Sequence, residues 1–247
     1  TRRSSDLQDD GWKRVEPGLE LAFPADHGAH PDTRTEWWYV TGQLADATGA
    51  RYGFQFTVFR RGLEPGAAAA GESPLHAREL YAGHLALSDV ARGETRFAER
   101  LARSSPLARA AVGELDVRLE DWSLVRGEND ALTLRAGDPA RGFAFDFALR
   151  PTKALVLHGE RGYSHKGGAS GNASAYVSWP RLALEGALTL DGRALAVTGA
   201  AWFDHEFGSS VLPEGVAGWD WFGLQLDDGR ELMLFALRDA QGAPVEA

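Results

Sequence analysis

The amino-acid sequence predicts an all-β protein built as a barrel or sandwich, and three observations carry that prediction. Apolar and polar residues alternate with a period of two in segment after segment. Gly, Asp and Asn clusters separate those segments at short intervals. Sustained helical periodicity is missing from a chain of 247 residues that holds 8 Trp, 12 Phe and 29 Gly. Short strands with tight turns favour antiparallel pairing over βαβ crossovers.

Taken in order, residues 1–15 are polar, charged and without period, and are expected to be a mobile leader. Asp26-His27-Gly28-Ala29-His30-Pro31-Asp32 reads as a turn-rich loop. Thr35–Gly42 is strand-like, with Trp37 and Tyr39 on one face and Glu36 and Trp38 on the other. A Thr48-Gly49 turn joins it to Arg51–Arg60, where Tyr52, Phe54, Phe56 and Val58 share a face and Gln55 lies on the opposite one. The Pro65–Glu79 stretch does not declare itself. Gly83–Asp89 alternates again and carries His84. Thr95–Gly113 is ambiguous between helix and strand. Leu115–Val125, Ala131–Arg135 and Gly142–Arg150 are strand-like, the last with Phe143, Phe145, Phe147 and Leu149 on one side.

Glu160–Asn172 is a glycine-rich loop carrying Ser164, His165 and Lys166. Ala175–Pro180 and Leu182–Leu190 alternate up to an Asp191-Gly192 turn. Ala194–Phe207 follows, and within it Trp202, Asp204 and Glu206 share one face while Phe203, His205 and Phe207 share the other. A final hairpin pairs Trp219–Leu226 with Glu231–Arg238. Two strands do not make an independent domain. They complete the first barrel or begin a second.

Composition limits the function. Lys and Arg number 26 against 35 Asp and Glu, a net charge of −9, which disfavours nucleic acid and anionic membrane surfaces as partners. With no cysteine, the chain has no disulfide partner, no thiolate nucleophile and no Cys-ligated metal. No run approaches the length of a membrane-spanning helix, and no secretory apolar region stands at Thr1. The sequence leaves the oligomeric state open.

Three chemistries compete. A serine hydrolase needs a nucleophile elbow, and Gly-x-Ser-x-Gly does not occur; Ser164 with Lys166 is the residual nucleophile region. A metal site needs close ligand spacing. Asp26, His27, His30 and Asp32 are near in sequence but follow no recognised pattern, and His205 points away from Asp204 and Glu206, so no metal is expected. The third is proton transfer in an aromatic pocket. An acid walled by Trp202, Trp219 and Trp221 has its pKa raised by desolvation, as protonation of an isolated alkene requires. Glu36, Gln55, His84, Asp204, Glu206 and Gln225 interrupt the strands with polar groups, which favours a lined cavity over a dry core.

Glu36-Trp37-Trp38-Tyr39-Val40-Thr41-Gly42, Phe54-Gln55-Phe56-Thr57 with Phe59-Arg60, Gly83-His84-Leu85-Ala86 and the Tyr176–Leu182 block stand in that order. Ala201-Trp202-Phe203-Asp204-His205-Glu206-Phe207-Gly208 and Gly218-Trp219-Asp220-Trp221-Phe222 with Leu224-Gln225-Leu226-Asp227-Asp228-Gly229 follow. Together, over roughly residues 16 to 240, they resemble the carotenoid 1,2-hydratase and AttH-like family of lipocalin-like proteins. The resemblance implies a lipocalin-like (calycin) antiparallel β-barrel over 16–208, with 209–247 as the first hairpin of a second, incomplete barrel and a ligand pocket near the junction.

It further implies a lipophilic, isoprenoid or polyene-like ligand and a cofactor-independent hydratase with Asp204 as proton donor. Glu206, Trp202 and His205 assist in that reading, and Glu36, Trp38, Gln55, His84, Tyr176, Trp219, Trp221 and Gln225 bind the ligand. A non-catalytic carrier of a lipophilic molecule is the alternative, and a secreted hydrolase the second. A periplasmic or secreted location is likewise implied by the resemblance.

Overall fold

The structure, a computed structural model, describes residues 11–66, 73, 76–166, 172–209 and 215–245. The first strands are β1 (Thr35–Asp46), β2 (Arg51–Gly62), β3 (Glu79–Asp89) and β4 (Glu94–Arg103). Next come β5 (Ala108–Ala110), β6 (Asp116–Leu119), β7 (Trp122–Arg126), β8 (Leu132–Asp138) and β9 (Phe143–Pro151). The short β10 (Val156–Leu157) and β11 (Tyr163–His165) precede the long β12 (Ala173–Leu190) and β13 (Arg193–Gly208). β14 (Gly218–Gln225) and β15 (Glu231–Arg238) form a separate two-stranded sheet. The protein is all-β, as its alternation predicts.

β1 to β13 make one antiparallel sheet in the order β4-β3-β2-β1-β13-β12-β9-β8-β7-β6-β5, with β10 and β11 paired to β12. The sheet curls into a nearly closed barrel. Its seam is bridged by arginines of β4: Arg100 donates to the Leu119 carbonyl at 3.3 Å and lies over the Trp122 ring at 4.4 Å, and Arg96 donates to the Gly142 carbonyl at 3.1 Å. Gly83 marks the same closure, since a Cβ there would meet Leu119 Cδ2 at 2.5 Å. Inside, Trp38, Val40, Phe54, Phe56, Leu85, Trp122, Phe147 and Leu184 belong to one buried apolar cluster. Removing such side chains from water, at about 1.5–3 kcal/mol each, drives the curl.

The Asp191-Gly192 turn behaves as its sequence demands. Both residues take positive φ, 51° and 76°, the backbone of a two-residue type I′ hairpin loop. Two expectations need correction, and one stretch left open is settled. Leu115–Val125 is two strands, β6 and β7, because Glu120 turns the chain at φ 59°. The ambiguous Thr95–Gly113 stretch resolves as most of β4 plus β5. Of the expected leader, residues 1–10 lie outside the described residues, whereas Trp12 and Val15 are buried. Trp12 packs where Gly62 has no side chain: a Cβ there would sit 2.1 Å from the indole.

Burial along β12 and β13 locates the region that matters. Arg193–Ala200 contains exposed positions, but all eight residues of Ala201–Gly208 are buried, and so are all eight of Ala173–Pro180. One face of these half-strands looks into the barrel. The other meets Trp221 and Gln225 of β14 and the His158 ring, while β10 and β11 extend the sheet at the edge of β12, whose register shifts between Trp179 and Leu182.

Candidate functional site

Strand β13 holds two polar clusters back to back. On its outward face, Asp204 is 4 % exposed and has three donors. Trp202 Nε1 reaches Oδ1 at 2.6 Å, the Ser178 hydroxyl donates to the same oxygen, and the Tyr176 hydroxyl donates to Oδ2 at 3.0 Å. Register explains the convergence: Ser178 of β12 stands opposite Asp204, Tyr176 opposite Glu206, and Tyr39 of β1 opposite Asp204 on the other flank. From the hairpin, Trp221 Nε1 donates to the Tyr176 hydroxyl at 3.1 Å, and its ring meets Tyr39 and Trp202 edge-on, each at 5.7 Å.

Burial raises the Asp204 carboxyl to about 7; its three donors oppose the shift and the Glu206 charge adds to it. The Tyr176 hydroxyl is pushed up as well, by burial first and then by the charges of Asp204 and Glu206. Glu206 itself is paired, accepting from Ser174 at 2.5 Å and from Lys166 Nζ at 2.7 Å. The Lys166 ammonium also lies 5.0 Å from the centre of the Tyr176 ring. His158 Nε2 lies 2.7 Å from the Ser178 hydroxyl, and burial, with the Lys166 charge, lowers this imidazole to about 4.

On the inward face, Glu36 is fully buried. Its Oε1 meets His205 Nε2 and His30 Nδ1 at 2.9 Å each, while Oε2 accepts from Arg60 Nε at 2.9 Å and the His30 backbone N–H at 3.0 Å. Arg60 continues to Glu79 at 3.0 Å and to the Thr33 carbonyl at 2.8 Å. Desolvation alone would raise the Glu36 carboxyl, but its bonds to His205 and His30 and the Arg60 charge hold it well below the usual range. His205 is pushed down by burial, against the pull of its bond to Glu36.

His30, Glu36 and His205 bring three ligand atoms within 4.8 Å of one another. The Glu36 oxygens are already occupied, and a cation there would face the fully buried Arg60 guanidinium, so the donor set fits an ion-pair network and not a metal. A cavity of about 300 Å³ borders this network at His30 and Thr33, between the Lys13–Leu19 segment and Phe207, and not the Asp204 cluster.

The expected site residues therefore divide. Asp204, Trp202, Glu206, Tyr176 and Trp221 come together, with Lys166. Glu36, Trp38 and His205 form the opposite cluster, Trp38 stacking on His205 at 5.0 Å, so they do not wall Asp204. Alternation forbids it, since consecutive residues of a strand face opposite sides. Gln55 and His84 are exposed on the outer face. His84 stands three inter-strand steps along the row Asp204, Tyr39, Thr57, His84, roughly 14 Å away.

Trp219 is 50 % exposed on the hairpin. Gln225 is a staple, its amide donating to the Pro180 carbonyl at 2.8 Å and the Ala201 carbonyl at 3.0 Å. Ser164 is buried in β11 across from Ser174, and Lys166 is engaged by Glu206 instead. Sequence reasoning missed Ser178, Ser174, His158, His30 and Arg60 as partners. Period two signalled some of them: Ser174 and Ser178 share the face of Tyr176, and Arg60 prolongs the inward face of Phe54, Phe56 and Val58.

A family model described as AttH-like matches residues 14–247. The crystal structure of an AttH-assigned protein from Nitrosomonas europaea superposes with a TM-score of 0.84 at 39% identity, over 94% of this chain and 69% of that one. The crystal structure of kievitone hydratase from Nectria haematococca matches with a TM-score of 0.61 over 95% of this chain and 71% of that one. Its identity of 14% makes this a likeness of fold. No curated protein sequence matches the chain.

Proposed function

The chain belongs to the AttH-like family, with a lipocalin-like barrel, and from that premise we propose that it is a hydratase adding water across an isolated double bond of a lipophilic, isoprenoid or polyene-like substrate. The observation that carries the reading is the Asp204 carboxyl. It is buried, raised to about 7 and so about half protonated at neutrality, and enclosed by the indoles of Trp202 and Trp221. A carboxylic acid poised near the working pH is an efficient proton donor.

In the proposed reaction the Asp204 O–H bond breaks as a C–H bond forms from the alkene π pair. The aromatic rings of Trp202, Trp221 and Tyr39 stabilise the resulting carbocation, as they would any cation in a water-poor site. Water then forms the C–O bond, and its excess proton leaves to solvent. The Asp204 carboxylate produced is held by the Trp202, Ser178 and Tyr176 donors.

A second reading, carriage without chemistry, is favoured by one observation: the Ser178 and Tyr176 hydroxyls, by donating to Asp204, brace β12 to β13 whether or not a reaction occurs. The test is incubation of the protein with a dimethylallyl-substituted phenol in ¹⁸O-water. A hydrated product carrying the label, lost with Asp204→Asn, supports the hydratase. Tryptophan quenching by the phenol with no product from the unaltered protein supports the carrier.

A further inference from the structure

Of the three groups that donate to Asp204, only one is able to reverse its bond. The Trp202 indole N–H has no acceptor capacity. The Tyr176 hydroxyl oxygen takes the Trp221 N–H at 3.1 Å, which leaves its own proton aimed at Oδ2. The Ser178 hydroxyl lies between Asp204 Oδ1 and His158 Nε2, the latter at 2.7 Å, and a hydroxyl both donates and accepts. His158 is fixed for this contact. Its ring stacks on Tyr176 at 4.2 Å, and its backbone N–H bonds the Tyr176 carbonyl at 3.0 Å. It is only half-buried, while Asp204 is 4 % exposed and Ser178 is fully buried.

We propose that His158 is a positioning residue for Asp204, acting through the Ser178 hydroxyl to hold the acid's proton and to replace it from solvent after each donation. This rests on the reading of Asp204 as the acid. When Asp204 is ionised, His158 Nε2–H donates to Ser178 and Ser178 donates to Oδ1. When Asp204 is protonated on Oδ1 the chain runs the other way, and Ser178 donates to a bare Nε2, the ring proton being on Nδ1.

Reloading converts one arrangement into the other. Imidazolium formed with a solvent proton passes its Nε2 proton to the Ser178 oxygen as the Ser178 proton moves to Oδ1. One N–H and one O–H bond break, two O–H bonds form, and a neutral imidazole remains. The proton comes to rest on the acid because Asp204 stands at about 7 and His158 at about 4. The charged and titratable groups around the chain are Tyr176 from β12, Glu206 from β13, Tyr39 from β1 and Lys166.

The test needs no substrate. Carbon-13 NMR of protein labelled at the aspartate carboxyls follows the Asp204 midpoint, with the resonance assigned by Asp204→Asn. His158→Phe keeps the ring stack but gives the Ser178 proton no acceptor, so it penalises the protonated acid. The midpoint is expected to fall by about one unit, roughly a tenfold change in the ionisation constant. Ser178→Ala removes a donor to the carboxylate and is expected to raise the midpoint. His158→Gln, whose amide oxygen accepts from Ser178, keeps it near the unaltered value.

A midpoint unchanged or raised in His158→Phe overturns the proposal, since an apolar ring acting through desolvation alone would raise it. If that variant does not fold, His158→Ala is titrated with and without imidazole. Imidazole restoring the midpoint supports the proposal, and no response overturns it. Turnover does not enter this measurement. A substrate-blind result with the predicted shifts leaves the relay standing while the hydratase reading fails, and flat midpoints beside measured hydration do the reverse.

Discussion

Asp204 and His205 are consecutive in the chain, and each is the acid–base centre of a different cluster on opposite faces of β13. Asp204 looks outward to Trp202, Ser178 and Tyr176, and His205 looks into the barrel to Glu36. The strand separates a site whose charge is conditional from a network whose charges are permanent. Substitutions on its two faces are therefore expected to report differently.

Asp204→Asn is expected to lower hydration of a dimethylallyl-substituted phenol by about 10²–10⁴-fold, the usual contribution of a positioned general acid. Stability at pH 8 stays within about 1 kcal/mol, since a buried charge is removed along with its hydrogen bonds. Product formation and urea unfolding together check both halves.

Glu36→Gln has the opposite profile. It strips the fully buried counter-charge from Arg60, itself fully buried, and leaves that cation, among the described residues, only the more exposed Glu79 as an acidic partner. The expected cost is about 3–5 kcal/mol. The urea midpoint measures it, while the rate per folded molecule is expected to stay within twofold.

The pH dependence of activity follows the acid. With Asp204 at about 7, the protonated donor is depleted as pH rises past that value, and the rate is expected to fall tenfold per unit on the alkaline side. The sign for stability is separate. The folded value lies above the ordinary aspartate value of 3.8, so between about pH 4 and about pH 7 the native state holds a proton that the unfolded chain has lost. Across that window this group's contribution declines as pH rises, and it is constant above it. Subtracting the stability curve of Asp204→Asn from that of the unaltered protein isolates the decline.

The hairpin is fastened by Glu231, which pairs with Lys153 at 2.5 Å and Arg181 at 2.6 Å, and by Gln225. Glu231→Gln is expected to speed amide exchange in β14 and β15 about tenfold, with β12 and β13 unchanged. Hydrogen-exchange mass spectrometry resolves the two regions.

Much of the barrel was legible in the sequence because alternation fixes which residues share a face. It grouped Phe54 with Phe56, and Phe145 with Phe147, on single faces and put Asp204 on the face of Trp202. Alternation does not say which strands become neighbours, and that is where the site lies. Ser178 comes from 26 residues upstream of Asp204, and His158 from a two-stranded fringe with no pattern of its own. Glu36 was assigned to the ligand because polarity was read without its face, and Trp38 by the resemblance. Their own strand carries Tyr39, on the opposite side, to Asp204.

The docking of β14 shows how the work is divided between the two sheets. Trp202, Ser178 and Tyr176 all belong to the barrel, and the hairpin adds one indole to the Tyr176 hydroxyl. The acid is thus a component of the chassis, and the lid above it is an attachment. A lineage built this way is free to exchange the attachment for another, and so to change what it accepts, without rebuilding the part that delivers the proton.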